Sequence, residues 1–351
     1  MKALWLNGPK DLEYGEMPVP EPREGWVRIR VMAASVCGGD VKIYRNGRPG
    51  KPIGRRVSGH EFVGVIDKVG EGVTSHKVGD RVSVNPQIYC RECEDCKNGD
   101  YNICNHRDMI GGRSYDGGFA EWCVAPEYVL IDIPECIPDV SAAMTEPLGV
   151  ALHAVRRAGG ADLAGRSVVI YGAGPIAMLA LECLKYYKAS QIIMLDMVRS
   201  RLETAKAHGA THVFDAGMES GELIAAVRDI TEGRGADAVI DAVCLDATVD
   251  NSLHFLRSHG KLVVVGLSKG ECNVNFRYMT DHELTLTCSY LYTDDLRDAV
   301  AMEAAGQLDI GYIGCPVMPL SSGREMFRIL TGEPDRCLKG VLIPDSVMNG
   351  Q

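Results

Sequence analysis

Four cysteines lie close together in the chain, three of them in Cys90-Arg-Glu-Cys93-Glu-Asp-Cys96 and the fourth, Cys104, after seven intervening residues. Thiolates at this spacing can close a tetrahedron around one soft divalent ion, and four sulfur ligands leave no open coordination position. The pattern therefore predicts a structural zinc. A redox dithiol relay is the alternative, since Cys-x-x-Cys pairs also occur there, but three evenly spaced thiols and a fourth favour the metal.

A second group of possible metal ligands is spread along the chain and consists of Cys37, His60, Glu61 and Glu146. The group combines a soft sulfur with a nitrogen and hard oxygens, a mixture typical of a metal site that stays open to a substrate. Each residue alone has an ordinary explanation, because a lone cysteine is usually a small buried hydrophobe and a lone glutamate usually lies on the surface. Their combination favours the open metal site.

A glycine turn follows an apolar run that ends at Tyr171 and reads Gly172-Ala173-Gly174-Pro175-Ile176-Ala177. It departs from the usual dinucleotide fingerprint at the third glycine, which is Ala177 here. A strand before the turn and a helix after it favour a dinucleotide site over an ordinary βα turn. We therefore expect Gly172, Gly174, Pro175 and Ile176 to hold a pyrophosphate at a helix N-terminus.

Asp196 ends the next apolar run, where a carboxylate accepts hydrogen bonds from ribose hydroxyls and repels a 2′-phosphate. This favours NAD over NADP. Arg201 follows closely and is expected to stack on adenine or to contact a phosphate, with a solvated helix residue as the alternative. Val265, Gly266 and Leu267 end a later strand at the same sheet edge, where backbone could approach the nicotinamide.

The pattern of apolar and turn-forming residues changes near Ser141. Before it, short β-like runs alternate with Gly and Pro and no long helical period appears, which predicts an irregular, mostly β domain. After it, strands alternate with helices, which predicts an α/β doubly wound parallel sheet. We expect a catalytic domain at 1–150 and 290–351, with the zinc lobe at about 86–108, and a dinucleotide-binding domain at 151–289. The tail, with a strand at 339–343, should fold back on the first domain.

Bulk properties exclude several classes. The 351 residues suffice for two domains, and a net charge of −10 argues against nucleic acid and membrane surfaces as general partners. No run approaches the roughly 20 apolar residues of a membrane span, and the apolar start is too short for a signal peptide. Of the thirteen cysteines, the eight outside the lobe and Cys37 are scattered without framework spacing, which indicates a reducing compartment, so a cytoplasmic location is expected.

Jointly, these motifs resemble the zinc-containing medium-chain alcohol and polyol dehydrogenases, and the resemblance runs nearly end to end. The segment Glu146-Pro147-Leu148, where ethanol-type members carry a cysteine, is similar to the sorbitol, threonine and sugar-phosphate dehydrogenase branch. The matching motifs, besides the four-cysteine lobe, are Val36-Cys37-Gly38-Gly39-Asp40, Gly59-His60-Glu61, Asp116-Gly117-Gly118-Phe119-Ala120-Glu121, Glu146-Pro147-Leu148 and Gly172-Ala173-Gly174-Pro175.

The resemblance implies a mostly β, GroES-like catalytic domain beside a Rossmann domain, with two zinc ions per chain and NAD as cofactors. Cys37 and His60 become ligands of the catalytic zinc, and Glu61 and Glu146 complete or exchange in its coordination. A divalent ion with a labile position lowers the pKa of an alcohol. The structural zinc belongs to the lobe, with ligands Cys90, Cys93, Cys96 and Cys104.

The implied reaction interconverts a secondary alcohol of a polyol, sugar acid or sugar phosphate with its ketone, so the implied partner is a small molecule. Relatives pair an edge strand, expected here at 283–289, which implies a homodimer or homotetramer. Two alternatives stay open: an L-threonine-type amino-alcohol dehydrogenase, and a non-catalytic relative that binds nucleotide or metal. A zinc-finger nucleic-acid binder fits poorly, because the surroundings of the lobe are acidic.

Two positions depart from the family pattern. Relatives usually carry Ser or Thr two residues after the cysteine ligand and commonly His five residues after it, whereas this chain has Gly39 and Lys42. Lys42, if desolvated, could be the terminal proton acceptor, with Glu61 holding a water in place of the hydroxyl. Alternatively the substrate supplies its own group, and Lys42 only contacts ribose or phosphate.

The segment 45–56 is strongly basic within an acidic chain. Because arginine binds carboxylates and phosphates bidentately, the segment either recognises an anionic substrate or forms a solvated loop, and both readings stay open. Arg113 and Tyr115 are further possible neighbours of the substrate.

Overall fold

A computed structural model of the chain describes residues 1–47, 55–112, 114–267, 270–333 and 335–350. The strands are β1 Lys2–Gly8, β2 Asp11–Glu16, β3 Trp26–Ser35, β4 Arg56–Val57, β5 Glu61–Val69, β6 Arg81–Val84, β7 Gln87–Ile88, β8 Asp108–Met109, β9 Trp122–Pro126, β10 Leu130–Asp132, β11 Ser167–Tyr171, β12 Gln191–Asp196, β13 His212–Asp215, β14 Ala236–Asp241, β15 Leu256–Val264, β16 Thr285–Cys288, β17 Val317–Pro319 and β18 Val341–Ile343.

The α-helices are α1 Gly38–Asn46, α2 Glu94–Lys97, α3 Asp139–Ala142, α4 Thr145–Ala158, α5 Pro175–Tyr186, α6 Arg199–Ala207, α7 Ser220–Ile230, α8 Asp246–Phe255, α9 Phe276–His282, α10 Asp295–Ala304, α11 Gly323–Gly332 and α12 Asp345–Met348. Short 3₁₀ turns occur at Tyr101–Ile103, Glu127–Val129, Gly160–Leu163, Gly311–Ile313 and Leu320–Ser322. Within the described ranges, no helix has both the length and the apolar character that a membrane span requires.

The chain forms two compact units. The first comprises Met1–Glu146, Leu296–Gly306 and Ile310–Gln351, and the second comprises Pro147–Asp295 and Gln307–Asp309. The tail therefore returns to the first unit. The catalytic and dinucleotide-binding roles expected for the two parts of the chain stay predictions.

The first unit is built mainly of antiparallel strands. Its largest sheet has the order β10-β6-β5-β3-β18-β17, with β9 also paired to β3, and a second sheet has the order β2-β1-β4. Strand β3 pairs with three strands of the larger sheet, β5, β9 and β18. Most of its aliphatic residues belong to the apolar core. The C-terminal β18 pairs with the end of β3, so that Val341 lies opposite Ser35. This register brings the last part of the chain to the segment just before Cys37.

Helix α1 was not expected, because no helical period was found before residue 141. Its start is fixed by local hydrogen bonds: the Cys37 sulfur accepts from the Gly39 backbone at 3.3 Å, and the Asp40 carboxylate accepts from the Cys37 backbone at 3.3 Å. Reciprocal bonds of this kind stabilise the first turn of a helix. Two glycines and a mostly polar surface hide such a helix from a search for apolar periodicity.

The second unit contains a parallel six-stranded sheet of order β13-β12-β11-β14-β15-β16. This is the doubly wound order of a Rossmann domain, which confirms the predicted fold class. The central strand β11 is buried along its whole length, as expected for a parallel sheet covered on both faces. Strand β16 is the edge strand that was predicted at 283–289. Strand β15 begins at Leu256 instead of 261, because Leu256 also pairs with Ala236 of β14, ahead of an irregularity in the register.

Candidate metal and dinucleotide sites

The four cysteines of the lobe converge. Their sulfur atoms lie 3.8 Å apart for Cys90 and Cys96, 3.8 Å for Cys93 and Cys104, and 3.6 Å for Cys104 and Cys90. A tetrahedron with zinc–sulfur bonds of about 2.3 Å has edges of about 3.8 Å, whereas a disulfide needs about 2 Å. The sulfur positions therefore fit a closed four-sulfur zinc site better than a dithiol relay.

The lobe is held by its own short segment and by an aromatic cluster. The backbone N–H groups of Glu92 and Cys93 donate to the Cys90 sulfur and lower the pKa of that thiol to about 6. Tyr89 stacks on Tyr101 at 4.4 Å between ring centroids and meets Tyr128 edge-on at 5.3 Å. The cysteines are thus anchored next to β7 and to the turn before β10.

Cys37, His60 and Glu61 also converge, with one donor atom from each residue within 4.8 Å of the others. Cys37 precedes α1, His60 precedes β5 and Glu61 is the first residue of β5. Sulfur, nitrogen and oxygen donors then face one position, which fits a divalent ion with room for a further ligand. His60 and Glu61 are buried, whereas Cys37 is partly exposed and its neighbours Gly38 and Gly39 are exposed, so the group is open on that side.

Glycines of two family motifs make this arrangement possible. The backbone N–H of Gly118 donates to the Gly59 carbonyl at 2.7 Å, and that of Phe119 donates to the Ser58 carbonyl at 3.0 Å. A Cβ on Gly117 would lie 2.0 Å from the Gly59 carbonyl oxygen, a separation that no side chain tolerates. The Asp-Gly-Gly-Phe motif therefore supports the segment that carries His60 and Glu61.

His60 lies in a negatively charged environment. Its Nδ1 is 3.8 Å from the Asp40 carboxylate, which is itself buried. Burial lowers the pKa of His60, but the thiolate of Cys37 and the nearby carboxylates outweigh burial and raise this pKa well above its usual value. An environment that favours positive charge on an imidazole also suits a bound cation.

Sequence reasoning missed two residues of this site, Lys339 and Ser35. Lys339 is 3% exposed, and its Nζ lies 2.6 Å from one carboxylate oxygen of Glu61 and 2.5 Å from the other. Burial lowers the pKa of Lys339, but Glu61 and Cys37 outweigh burial and raise it. The Ser35 hydroxyl also contacts the Glu61 carboxylate. The only signal in the sequence was a lysine at the start of an otherwise apolar strand.

Glu146 lies outside this three-residue group. It is 3% exposed and stands in the first turn of α4. Its negative charge contributes to raising the pKa of Lys339. Glu146 is therefore near the lysine that binds Glu61, and its role as a metal ligand stays a prediction.

The two departures from the family pattern lie on α1. Gly39 and Lys42 are both exposed. A Cβ on Gly39 would lie 3.6 Å from the Cys37 sulfur, which is an ordinary van der Waals contact. Packing would thus allow a side chain with a hydroxyl at position 39. The role of Lys42 in proton transfer stays a prediction.

The basic segment 45–56 is described only in part, because residues 48–54 lie outside the described ranges, as does Arg113. At its ends, Arg45 donates to the Thr331 carbonyl, while Arg55 donates to the Glu16 carbonyl at 2.9 Å and covers the ring of Trp5. These two arginines therefore bind the chain itself. The predicted substrate neighbour Tyr115 is likewise engaged, since its ring packs on Trp26 and its hydroxyl accepts from Arg23.

In the second unit, the glycine turn lies between β11 and α5 as predicted. Gly172 has φ of 102°, a conformation that favours glycine. Gly174 precedes α5 and Pro175 is its first residue, and no side chain caps this end of the helix. The N–H groups of the first turn, including that of Ile176, fit the predicted anion site, which stays a prediction. A Cβ on Gly174 would meet only Arg201, at 3.9 Å, so this glycine leaves space beside the turn.

Asp196 and Arg201 lie at the same turn. One oxygen of Asp196 accepts from the Ala173 backbone at 2.6 Å, and the other accepts from the Val198 backbone at 2.8 Å. The Nε of Arg201 is buried, and no described residue accepts its hydrogen bond. A buried donor without a partner beside a glycine turn fits a ligand with phosphate or hydroxyl oxygens, as NAD has.

Val265, Gly266 and Leu267 follow β15 at the carboxyl end of the sheet. The backbones of Val265 and Gly266 donate to the Asp241 carbonyl at 2.9 and 3.0 Å. A Cβ on Gly266 would lie 2.6 Å from the Val243 backbone, so only glycine fits there. Leu267 is 71% exposed, as a residue that lines a ligand crevice can be.

Two family models match the chain. The alcohol dehydrogenase GroES-like domain matches residues 23–135, and the zinc-binding dehydrogenase domain matches residues 175–305. A probable D-xylulose reductase A of Aspergillus terreus is 35% identical over 331 residues, which cover 92% of this chain and 93% of the relative.

Solved structures are similar over nearly the whole chain. A short chain alcohol dehydrogenase of Escherichia coli CFT073, complexed with NADH, has a TM-score of 0.90 at 30% identity and covers 98% of this chain and 99% of its own. Galactitol-1-phosphate dehydrogenase of Escherichia coli has a TM-score of 0.88 at 27% identity, with coverages of 98% and 100%.

A Rossmann domain, a GroES-like domain and two clusters of metal-type ligands define a zinc-binding oxidoreductase. The chain belongs to the zinc-containing medium-chain alcohol and polyol dehydrogenase family, as its resemblance implied. The cofactors of this family are zinc and a nicotinamide dinucleotide.

Proposed function

We propose that the chain is an NAD-dependent dehydrogenase that interconverts a secondary alcohol of a polyol, sugar acid or sugar phosphate with its ketone. The convergence of donor atoms from Cys37, His60 and Glu61 within 4.8 Å of one another carries this proposal. The D-xylulose reductase and galactitol-1-phosphate dehydrogenase relatives support the substrate class. Zinc, when bound, polarises the substrate oxygen, and NAD exchanges a hydride with the adjacent carbon.

The chain's own residues hold and orient these groups. Cys37, His60 and Glu61 would bind the catalytic ion, with Glu146 completing or exchanging in its coordination, and the four cysteines of the lobe would bind a structural ion. The exposed Gly39 leaves room for a substrate oxygen beside the Cys37 sulfur. A proton released there would pass to water or to the exposed Lys42.

In the second unit, we infer that the first turn of α5 binds the pyrophosphate and that Asp196 accepts hydrogen bonds from the ribose hydroxyls. Arg201 supplies a buried donor without a protein partner among the described residues, which suits a cofactor oxygen. A carboxylate at Asp196 disfavours the 2′-phosphate of NADP. These assignments give the first unit the catalytic role and the second the dinucleotide-binding role.

The edge strand β16 supports a homodimer or homotetramer, because the outer edge of β16 pairs with no described strand. None of the thirteen cysteines is joined to another in a disulfide, which supports a reducing, cytoplasmic location. Sedimentation velocity on the purified chain tests the assembly, and a monomer at micromolar concentration would contradict the proposed homodimer or homotetramer.

Reduction and oxidation assays across a substrate panel test the function. The panel contains pentitols and hexitols, hexonates, their phosphates and L-threonine, each with NAD⁺ and NADP⁺, before and after chelation and zinc addition. We expect zinc-restored turnover with NAD⁺ on a polyol-type substrate. Preference for L-threonine would support the amino-alcohol alternative, and cofactor binding without turnover would support a non-catalytic relative.

A further inference from the structure

Ser35 occupies a central position at the candidate catalytic site. It is the last residue of β3, is fully buried and lies directly opposite Glu61 in the antiparallel register of β3 and β5. Its hydroxyl oxygen contacts one carboxylate oxygen of Glu61 and lies 3.1 Å from the carbonyl oxygen of Ala143. Both neighbours are hydrogen-bond acceptors.

A serine hydroxyl carries one proton, so it donates to one of these acceptors at a time. It therefore has two orientations, one toward Glu61 and one toward Ala143. The second orientation keeps the buried hydroxyl paired when Glu61 turns away, and an unpaired buried donor would be costly. Ser35 thus accommodates two positions of the Glu61 carboxylate without losing its own hydrogen bond.

Glu61 has a reason to occupy two positions. Its two oxygens bind Lys339 Nζ at 2.6 and 2.5 Å, and an oxygen of the same carboxylate is within 4.8 Å of the donor atoms of Cys37 and His60. Lys339 and Ser35, which are not among the three donor residues, therefore both hold the Glu61 carboxylate, and together they form a clamp on it. A carboxylate held by the clamp has fewer lone pairs available to a cation.

We propose that Ser35 is a positioning residue whose hydroxyl sets how Glu61 is shared between the Lys339 clamp and the catalytic metal. The proposal rests on the proposed function, since it assumes that Cys37, His60 and Glu61 bind zinc. In the clamped position the hydroxyl donates to a charged carboxylate, and in the metal-bound position it donates to the neutral Ala143 carbonyl. Hydrogen bonds to charged groups are the stronger ones, so the hydroxyl favours the clamp.

Removing the hydroxyl should therefore shift Glu61 toward the metal. We expect Ser35→Ala to slow loss of the catalytic-site zinc by about threefold to tenfold, the difference between a charged and a neutral hydrogen bond. The measurement is zinc release from the zinc-loaded full-length protein into excess chelator, followed with a colorimetric zinc indicator. Zinc from the four-cysteine lobe provides an internal reference, and the phase absent in Cys37→Ser identifies the catalytic site.

Ser83→Ala is the matched control. Ser83 is also fully buried in the same sheet, and its hydroxyl donates at 3.0 Å to the carbonyl of Phe62, the residue after Glu61. This substitution removes a comparable buried hydroxyl without touching the carboxylate. We expect its zinc-release rate to equal that of the unsubstituted protein.

A Glu61→Gln background tests whether Ser35 acts through the carboxylate. Ser35→Ala should no longer change zinc release when Glu61 is replaced, while Ser35→Thr, which keeps the hydroxyl, should behave like serine. If Ser35→Ala does not fold, Ser35→Gly removes the same hydroxyl with less volume. With cobalt in place of zinc, Ser35→Ala should also alter the visible d–d bands.

Three results would overturn the proposal: equal rates for Ser35→Ala and Ser83→Ala, faster release, or an effect that persists with Glu61→Gln. If any of these results is found in a protein that binds two zinc ions and turns over substrate, only the proposed role of Ser35 is wrong. If the unsubstituted protein binds no second zinc ion, both the proposed function and the proposed role of Ser35 are wrong.

Discussion

The two groups of metal-type ligands in the first unit are built in opposite ways. The lobe takes four sulfurs from one short segment, 90–104, and a cation–π contact and stacked tyrosines support it locally. The Cys37 group takes three different donors from two segments, and Lys339 reaches it from near the end of the chain. A closed site can thus be a local structure, whereas an open site depends on sheet register and buried counter-charges.

The largest expected effect separates the two groups by activity. Replacing Cys37 with alanine removes the sulfur ligand of the open site, so we expect turnover to fall at least about a thousandfold, since the metal supplies several kcal/mol to the transition state. Metal content should fall from about two ions to about one per chain. Steady-state kinetics and elemental analysis measure both, with Cys136→Ala, an exposed cysteine, as control. Full activity in Cys37→Ala would place the chemistry elsewhere.

The second expected effect concerns stability. Lys339→Met leaves the Glu61 carboxylate buried without its cation, which should destabilise the metal-free protein by about 3–5 kcal/mol in urea unfolding. Zinc should reduce this loss, because the ion can take over as the positive partner. Lys185→Met is the control: its pair with Glu182 spans 2.8 Å, but the lysine side chain is 37% exposed. Equal losses for both lysines would contradict a special role of the buried pair.

The sign of the pH dependence follows from the raised pKa of Lys339. A lysine whose pKa is higher in the folded state contributes stability that is fully present below the unfolded value, about 10.4, and is lost as the pH rises through the folded value. The difference between Lys339→Met and the unsubstituted chain should therefore be constant from about pH 6 to pH 9 as far as Lys339 is concerned. A difference that vanishes at neutral pH would show that Lys339 is not a buried cation.

A smaller effect on activity is expected at the lobe. Cys96→Ser removes one of four sulfurs and should reduce metal content to about one ion per chain. Turnover should stay within about threefold of the unsubstituted enzyme, as for substitutions away from a reacting centre. Hydrogen exchange should increase locally within 90–104. Loss of activity as complete as in Cys37→Ala would mean that the two groups do not function separately.

The same contrast explains what the sequence could predict. The lobe, the glycine turn and the alternating strands of the second unit are local patterns, so spacing and periodicity were sufficient. Family resemblance supplied Cys37, His60 and Glu61. Lys339 and Ser35 could not be found in this way, because they meet Glu61 only through the pairing of β18 and β5 with β3. A one-residue change of register would point these side chains to the other face of the sheet.

Helix α1 was missed for a different physical reason. Its start depends on two hydrogen bonds and not on an apolar face: the Cys37 backbone donates to the Asp40 carboxylate, and the Gly39 backbone donates to the Cys37 sulfur. Propensity arguments disfavour a helix that begins with two glycines. Local hydrogen bonds, and not apolar periodicity, therefore define the helix that carries both departures from the family pattern, Gly39 and Lys42.

The smallest expected effect on stability comes from a substitution that tests those departures at the open site. Gly39→Ser restores the hydroxyl that relatives usually carry, and its Cβ would contact only the Cys37 sulfur, at an ordinary 3.6 Å. Because the substitution is in an exposed helical turn, stability should change by less than about 1 kcal/mol. If proton transfer through water limits the reaction, the hydroxyl should raise turnover by up to about tenfold.

Gly38→Ser is the matched control, since a Cβ there contacts nothing within 4 Å. It should leave turnover unchanged, and Lys42→Met should flatten the alkaline limb of the pH–rate profile if Lys42 accepts the proton. If Gly39→Ser raises turnover and Lys42→Met abolishes that increase, positions 39 and 42 belong to one proton path. Equal profiles for all three variants would assign proton transfer to water alone and leave Lys42 as a contact for the cofactor.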